Sequence, residues 1–421
     1  MTDGAARGLM DDMTTPASLA TDLDLFQIDP ETREFTRQEW HGIIAEARAK
    51  HPFLARTPFG FNVLTYADSV GVLRDRRFHS AVAHIPLLAG LDPADAEQLS
   101  GRPSILGTEG DAHGRLRRLV APAFTPKAAD RLRPFMREVV NGLVDAVTAD
   151  GRCEFVDAVC EPYPIPIICE LLGAPKNDWK LFSVWATDLL RIFNMDLAND
   201  LPRIVGARAA LDEYLGALIV ERRAAPRDDL LSDLIAAEEA GDRLSSDELL
   251  SMAEAVLVAG TDTTRNQLAC AVAVFTEHPD QWAMLADRPE LAPRAVEEAM
   301  RYLGAVRGTA RIASEDIEYK GITFPAGSFV FPSFVAGNFD ETAWSEPERF
   351  DITKDAASTP QLTFGSGIHY CLGAWLARAE LQEALPLLAR RMPNLALDGD
   401  ITWKPLQFGI WGPERLPIRF G

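Results

Sequence analysis

The sequence has few cysteines, no long apolar run and fewer basic than acidic residues, and each shortage excludes a class of protein. With 42 Lys and Arg against 62 Asp and Glu, its net charge is -20, which disfavours nucleic acid as the main partner. No stretch offers about 18 uninterrupted apolar residues, so no membrane contact is expected. Residues 1–20 lack the basic start and apolar centre of a signal peptide. We therefore predict a flexible N-terminal arm over 1–20 and a cytoplasmic protein.

Five cysteines form no recognisable framework. Their number is odd, and no CxxC pair or Cys/His array at zinc spacing occurs, so reduced thiols are expected. Four of them stand in apolar or mixed surroundings and are predicted to be small buried hydrophobic residues. These four are Cys153, Cys160, Cys169 and Cys270. Cys371 has a different setting.

Helical periodicity dominates the chain. Length alone suggests two or three domains, but no Pro/Gly/Ser-rich linker divides the sequence and no internal repeat or βαβ alternation is present. We predict one mainly α domain with small β-sheets over 21–421. Helices are predicted at about 36–50, 67–77, 111–123, 127–149, 176–195, 203–224, 245–278, 291–303 and 372–391. Short strands are predicted near 53–57, 61–65, 307–332 and 401–420.

Cys371 lies in a glycine-rich loop. Gly365 and Gly367 precede it and Gly373 follows it. A segment with strong helix propensity begins at Ala374. Glycines let a flat ligand approach the backbone, and the amides and dipole of a helix N-terminus favour a thiolate over a thiol. Such a thiolate can bind a metal or act as a nucleophile. The alternative is a glycine turn that happens to contain a cysteine.

A second unusual segment is a long helix with a weak centre. It is predicted to begin at a capping box of Ser245 and Glu248 and to end before Pro279. Its centre, Ala259-Gly260-Thr261-Asp262-Thr263-Thr264, contains poor helix formers. This placement makes sense if a ligand must approach the helix there. The alternative is a polar patch facing a neighbouring helix.

The segment from Phe364 to Gly373 resembles the cytochrome P450 signature Phe-x-x-Gly-x-[His/Arg]-x-Cys-x-Gly at every specified position. The resemblance to soluble bacterial members of that family covers roughly 50–421 and implies the single-domain P450 fold. It implies that Cys371 is the sulfur ligand of haem b iron and that His369 binds a haem propionate. Phe364 would pack near the sulfur, and Gly365 and Gly373 would lie against the haem.

The centre of the long helix resembles the family's [Ala/Gly]-Gly-x-[Asp/Glu]-Thr-[Thr/Ser] motif. That resemblance places Ala259 and Gly260 over the distal haem face. It makes Thr263 the residue that holds a hydroxyl or water near dioxygen, and Asp262 the residue that relays protons to it. Fatty-acid peroxygenase branches lack this acid–alcohol pair, so its presence favours dioxygen activation.

Further matches extend the resemblance. Arg311 and the pair His113 and Arg117 stand where the family binds haem propionates, the latter two one helical turn apart. Glu298, Arg301 and Arg349 match the family's Glu–Arg–Arg network and are assigned a structural role only.

Six basic residues and one acid lie between His113 and Arg133. We predict that this region, 113–133, docks an acidic ferredoxin, although a solvated helix face is an equal alternative. No flavin, nicotinamide or iron–sulfur segment is fused to the chain. Electrons are therefore expected from NAD(P)H through a separate ferredoxin and its reductase, and the protein is expected to be a monomer.

The substrate pocket is predicted to be largely apolar. The candidate lining residues are Ile85, Leu87, Leu88, Ile105, Leu106, Trp185, Leu189, Phe193, Met195, Val256, Val306, Ile410 and Trp411. They favour a small to medium hydrophobic substrate of terpenoid, steroid or aromatic type, although plain core packing is the commoner role of such residues. A monooxygenase that hydroxylates or epoxidises is the leading hypothesis. Atypical haem-thiolate oxidation (coupling, desaturation, peroxide-driven) and a non-haem thiol enzyme or non-catalytic haem sensor are the alternatives.

Overall fold

Helices make up most of the protein, as predicted. The computed structural model describes residues 18–28, 37–100, 102–193, 197–239, 244–355, 359–405 and 409–421. The α-helices of this part are α1 Arg37–Lys50, α2 Tyr66–Arg74, α3 Ile85–Leu88, α4 Pro93–Ser100, α5 Gly110–Val120, α6 Pro126–Thr148, α7 Pro164–Leu172, α8 Trp179–Leu190, α9 Leu197–Ala224, α10 Leu230–Glu239, α11 Ser246–Glu277, α12 Pro279–Asp287, α13 Ala292–Tyr302, α14 Phe334–Asn338 and α15 Ala374–Arg391. Each of the nine predicted helices is present, with ends shifted by a few residues.

Six of these helices were not predicted from the sequence: α3, α4, α7, α10, α12 and α14. The reason is clearest in α7, whose sequence PIPIICELL carries two prolines at its start and is apolar on nearly every face. It is buried from Pro164 to Leu172 with few exposed positions. A helix that is buried all round shows no amphipathic period, so the pattern that reveals surface helices is missing.

The strands form small sheets. They are β1 Ser18–Leu19, β2 Leu54–Thr57, β3 Gly60–Val63, β4 Phe78–Ser80, β5 Arg152–Glu154, β6 Arg311–Ala313, β7 Ile317–Tyr319, β8 Ile322–Phe324, β9 Phe329–Pro332, β10 Ala396–Leu397, β11 Thr402–Trp403, β12 Pro413–Arg415 and β13 Pro417–Arg419. The largest sheet has the order β2-β3-β9-β6-β4. The others have the orders β1-β8-β7, β10-β13-β5 and β11-β12.

The predicted C-terminal boundary of the flexible arm, residue 20, differs from the structure. Ser18 and Leu19 pair in parallel with Ile322 and Thr323, and Ala20 is fully buried. The packed chain therefore includes the last three residues of the predicted arm. Residues 1–17 lie outside the described part of the structure.

The long helix α11 organises the core. Its N-terminus is the predicted capping box: the Ser245 side chain accepts from the Glu248 N–H, and the Ser245 N–H donates to Glu248 Oε2 at 2.8 Å. It ends where Pro279 begins α12. At 32 residues it is about 48 Å long, and it packs against α7, α8, α13 and α15. No helix in the described ranges has the length and apolar character needed to cross a membrane.

Candidate active site

The loop that carries Cys371 is held by its own backbone. The Cys371 N–H donates to the Phe364 carbonyl at 2.9 Å, and the loop reverses through Gly365 and Gly367, whose φ angles are +70° and +73°. A Cβ on Gly367 would lie 2.1 Å from the carbonyl oxygen of Leu73, so only glycine fits there. The loop leads into α15, with Gly373 as its N-cap residue. Phe364 is buried at the start of this loop.

Burial opposes ionisation of the Cys371 thiol. Desolvation raises its pKa above the usual value, although the N–H of Gly373 and the cations of Arg117 and Arg378 act in the opposite direction. The helix-terminus effect predicted from the sequence is therefore present, but burial outweighs it. A metal ion bound to the sulfur would supply the missing positive charge and deprotonate the thiol.

Burial is the dominant effect at the other four cysteines, and at Cys270 it outweighs the nearby cations of Arg307 and Lys404. Burial raises the pKa of Cys153, Cys169 and Cys270 to about 12, and it also raises the pKa of Cys160 well above its usual value. Three of them are buried and Cys153 is partly buried. The prediction of small buried residues is therefore confirmed for Cys160, Cys169 and Cys270, and Cys153 meets it only in part.

The centre of α11 faces the cysteine loop across a cavity. Ala259, Gly260 and Thr263 line this cavity from the helix side, while Phe364, Cys371 and Gly373 line it from the loop side. Gly260 is also required by packing, because a Cβ there would lie 2.3 Å from Ile168 Cδ1 of α7. The Thr263 hydroxyl donates to the Ala259 carbonyl at 2.6 Å. Its oxygen lone pairs stay available on the cavity side.

Asp262 does not line this cavity. Its carboxylate pairs with Arg265 one turn along α11, and Lys404 Nζ lies 3.8 Å from it. The Asp262 side chain is only 8% exposed. The acid–alcohol pair predicted from the sequence is therefore split by the helix: the alcohol faces the cavity, and the acid faces an ion-pair cluster beside it.

Four basic side chains meet at one edge of the cavity. His113, Arg117, Arg311 and His369 all line it, although they come from α5, β6 and the cysteine loop. His113 is buried, and its Nε2 has no hydrogen-bond partner in the described part of the chain. The Arg117 and Arg311 guanidinium groups donate to protein oxygens that carry no charge: Tyr370 O, Ala310 O and Thr309 Oγ1.

This basic cluster is electrostatically incomplete. Burial lowers the pKa of Arg311 to about 10, and burial together with His369 and Arg117 lowers that of His113. Uncompensated buried cations are costly unless an anion joins them. The cavity, about 330 Å³ in volume and otherwise mostly apolar, thus fits a flat hydrophobic group with acidic substituents at this edge.

Glu109 is a member of the cluster that sequence reasoning missed. Its carboxylate accepts from the backbone N–H of Ser80 at 2.5 Å and lies 2.9 Å from His369 Nε2. Burial raises its pKa, but these two hydrogen bonds outweigh burial and leave the pKa below its usual value. Glu109 ties the loop that precedes α5 to β4 and to the cysteine loop. It stands four residues before His113, but only the tertiary contact distinguishes it from other acids.

A second, larger cavity of about 720 Å³ adjoins the first. The two share a wall that includes Ala259, Thr263 and Val306. Of the residues predicted to line a substrate pocket, the larger cavity contains Ile85, Leu106, Leu189, Phe193, Val306 and Ile410, and the smaller one contains Ile105 and Val256. Leu87, Leu88, Trp185 and Trp411 line neither, and Met195 lies outside the described residues. The prediction missed the polar lining, which includes Arg102, Arg208, Glu254 and Arg307.

The Glu–Arg–Arg prediction holds for two of its three side chains. Arg301 and Glu298 are buried and form a bidentate pair with distances of 2.7 and 2.8 Å. The Arg349 side chain is 60% exposed and lies instead near Glu346 and Asp351. Arg349 contributes its backbone carbonyl, which accepts from Arg301 at 3.2 Å. The network thus fixes the chain before the cysteine loop through main-chain groups.

Only some of the basic side chains in the region 113–133 are exposed on the surface and unpaired with any acid of the described residues. Arg117 points to the cavity, Arg115 pairs with Glu248, and Arg133 pairs with Asp130 and Glu383. Arg118, Lys127 and Arg131 are exposed. Helix α15, which packs against α6, carries Trp375, whose side chain is 50% exposed.

Comparison with known proteins agrees with this geometry. The Cytochrome P450 family profile matches residues 176–288 and 280–392. Luteothin monooxygenase of Streptomyces thioluteus is 37% identical over 382 residues, which cover 90% of this chain and 92% of that protein. Nocardicin C N-oxygenase of Nocardia uniformis subsp. tsuyamanensis is 39% identical over 389 residues, 90% and 95% of the two chains. The chain belongs to the cytochrome P450 family.

The structural comparison extends this conclusion to the fold. The crystal structure of CalO2 superposes with a TM-score of 0.86 and 30% sequence identity, covering 94% of this chain and 99% of that one. The protein is a cytochrome P450 monooxygenase with the single-domain P450 fold, and its family implies haem as the cofactor. The smaller cavity fits haem, because its apolar walls match the macrocycle, and its edge, where four basic side chains meet the single acid Glu109, matches the two propionates.

Proposed function

We propose that this P450 inserts one atom of dioxygen into a C–H or double bond of a small to medium hydrophobic molecule of terpenoid, steroid or aromatic type. A separate ferredoxin and its reductase would pass it electrons from NAD(P)H. The observation that carries the proposal is the shared wall of the two cavities at Thr263. A substrate in the larger cavity would lie directly against the group bound in the smaller one. The protein would act as a monomer.

The residues that would hold haem b are those of the smaller cavity. Cys371 would be the iron ligand, and His113, Arg117, Arg311 and His369 would bind the propionates. Ala259 and Gly260 would cover one face of the ring, while Phe364, Gly365 and Gly373 would lie on the other. When bound through a thiolate, haem supplies the activation of dioxygen.

Proton delivery is the part of the reaction assigned to α11. The Thr263 hydroxyl donates a hydrogen bond to the Ala259 carbonyl, so its oxygen can accept a hydrogen bond from a water or a reacting group in the cavity. Asp262 would collect protons from solvent. Because it is paired with Arg265 and close to Lys404, the carboxylate must leave that cluster to pass a proton toward Thr263.

Replacing Thr263 by alanine should uncouple electron use from product. We expect NADH consumption to continue while product per NADH falls about tenfold, because the cavity loses its positioned hydroxyl. Thr261→Ala is the matched control: Thr261 makes the same bond to Leu257 O at 2.6 Å but lines neither cavity. Coupling that is retained in Thr263→Ala, or lost equally in Thr261→Ala, would argue against the relay.

Turnover with ferredoxin, reductase and NADH, compared with hydrogen peroxide alone, tests the proposed electron route. A higher rate of product formation with ferredoxin, reductase and NADH than with peroxide alone supports dioxygen activation. Product from peroxide alone would favour the peroxide-driven alternative, and haem binding without any product would favour a sensor.

The exposed cations Arg118, Lys127 and Arg131, together with Trp375, are the proposed ferredoxin site. Charge steers an acidic partner to this face, and an exposed tryptophan can anchor it once there. The local field matters here, because the chain as a whole is strongly acidic.

Reversing one of these charges should slow reduction in a salt-dependent way. For Arg118→Glu we expect the reduction rate by an acidic ferredoxin to fall roughly tenfold at low ionic strength and much less at high salt, since salt screens exposed charges. The measurement is stopped-flow reduction at two salt concentrations. Arg203→Glu, an exposed position on α9, serves as the control. Equal reduction rates for the wild type and Arg118→Glu at low salt would show that this region does not bind the ferredoxin.

A further inference from the structure

Arg378 of α15 contacts two residues of the cysteine loop. Its Nη1 donates to the Tyr370 hydroxyl at 3.1 Å, and its guanidinium carbon lies 4.5 Å from the centroid of the Phe364 ring. These two residues also fix the backbone of Cys371. The Phe364 carbonyl accepts from the Cys371 N–H at 2.9 Å. Tyr370 directly precedes the cysteine, and its carbonyl accepts from Arg117 at 2.6 Å. A side chain that contacts both residues therefore helps to determine where the sulfur lies.

Glu297 of α13 holds the Arg378 guanidinium in one orientation. Arg378 Nε and Nη2 donate to Glu297 Oε1 and Oε2 at 2.5 and 3.0 Å, which makes two parallel hydrogen bonds. Gln361 Nε2 donates to the same carboxylate at 3.3 Å. The Arg378 and Glu297 side chains are only 16% and 17% exposed. The pair is thus mostly shielded from water, and each of the three guanidinium nitrogens has a partner.

The charge of Arg378 acts on the Cys371 sulfur. Burial raises the pKa of the Cys371 thiol, and the Arg378 cation is one of the groups that oppose burial and favour the thiolate. Burial also lowers the pKa of Arg378, but its hydrogen bonds to Glu297 and Tyr370 leave that pKa above its usual value. Arg378 is therefore protonated at neutral pH. The adjacent Glu297 carboxylate carries the opposite charge and reduces the field of the cation at the sulfur.

Arg378 is not one of the arginines at the edge of the smaller cavity. Arg117 and Arg311 line that cavity, whereas Arg378 lines neither cavity. It is therefore not placed to bind a propionate. Its contacts with the described residues lead instead to the loop that carries the cysteine. Any effect of Arg378 on a bound haem would act through Cys371.

We propose that Arg378 is a positioning residue for the Cys371 sulfur. Its guanidinium holds Phe364 and Tyr370 in place, and its charge stabilises a thiolate in a site where burial disfavours one. Glu297 orients the guanidinium and sets how much of its charge acts on the sulfur. The inference rests on the proposed role of Cys371 as the iron ligand. A more stabilised thiolate is a weaker electron donor, so this ion pair adjusts the reduction potential of the bound haem.

The test compares two variants that each remove one charge of the pair. In haem-loaded Arg378→Gln we expect the ratio of ferrous to ferric protein at a fixed solution potential to fall about fivefold, because loss of a nearby cation favours the more positive iron. In Glu297→Gln the ratio should rise, because the cation remains and its counter-ion is lost. Spectroelectrochemical titration measures both. A purely structural contact would be broken in both variants and would not move the potential in opposite directions.

Arg391→Gln is the matched control for the change of charge. Arg391 lies on the same helix, thirteen residues or about 20 Å beyond Arg378, and pairs with Asp145 at 2.7 Å. Its replacement should leave the ferrous-to-ferric ratio unchanged, since the charge is too far from the sulfur.

Arg378→Lys separates the charge from the shape of the side chain. Lysine keeps the charge but cannot form the planar, two-pronged contact with Glu297. We expect a reduction potential close to that of the wild type. The thiolate Soret band of the reduced, carbon monoxide-treated protein should be lost at a lower temperature than in the wild type, as in Arg378→Gln. Far-ultraviolet circular dichroism at the same temperature checks that the helices remain folded.

Shifts of the same sign in Arg378→Gln and Glu297→Gln, no shift in either, or an equal shift in Arg391→Gln would overturn the proposal. Glu297→Gln retains Arg378, so its expected rise decides the question even if Arg378→Gln binds no haem. A wild type without the thiolate band would reject Cys371 as the ligand and this inference with it. A normal thiolate band together with unchanged potentials would reject only the role of Arg378.

Discussion

Replacing Cys371 by alanine will remove the red-shifted thiolate Soret band of the reduced, carbon monoxide-treated protein and lower turnover at least about 100-fold. The sulfur faces the smaller cavity from a loop whose backbone is fixed by the Phe364 carbonyl and by glycines with positive φ. No rotamer of a neighbouring residue can substitute for it, because the adjacent side chains are Tyr370 and Leu372. Haem content and the spectrum are measured on the purified variant.

Cys270→Ala provides the matched control for this experiment. Cys270 is buried in α11, lines neither cavity and has a thiol whose pKa burial raises to about 12. Its removal should cost about 1 kcal/mol of stability and leave the spectrum intact. A thiolate band that persists in Cys371→Ala would mean that another cysteine is the ligand.

Replacing Arg301 by methionine will lower the free energy of unfolding by about 3 to 5 kcal/mol. The change keeps the approximate length of the side chain but leaves the buried Glu298 carboxylate without its bidentate partner. It also removes the donors to three backbone carbonyls, those of Asn338, Pro347 and Arg349. Because Lys354 Nζ lies 3.7 Å from Glu298 and can compensate in part, we expect the lower end of that range. Urea unfolding followed by circular dichroism measures the effect.

The variant Arg349→Gln tests whether the Arg349 side chain has the structural role that the sequence predicted. The sequence resemblance gives Arg349 the same structural role as Arg301, but its exposed side chain should contribute less than about 1 kcal/mol. Equal losses in Arg301→Met and Arg349→Gln would contradict the geometry described above. The double variant Glu298→Gln with Arg301→Met should be more stable than Arg301→Met alone, because no unpaired buried charge remains.

Several features could be predicted because they depend on local chemistry. The ends of α11 follow from the Ser245–Glu248 capping box and from Pro279, and each of these signals acts within one helical turn. The cysteine loop could be predicted because its glycines adopt positive φ angles that other residues rarely adopt. Helix α7 could not be predicted in this way, because a helix that is buried on all faces shows no amphipathic period. Glu109 could not be predicted either, because nothing in the neighbouring sequence indicates its contact with His369.

The sequence by itself determined that this chain is a mainly α P450 with a cysteine in a glycine loop and a weak-centred long helix. Those properties are written in residues that are close together along the chain. Only the tertiary structure decided which charges are paired: it turned Asp262 toward Arg265, exposed Arg349 and placed Arg117 at the smaller cavity. A charge is neutralised by what lies within a few ångströms of it, and that neighbourhood is set by how distant segments pack.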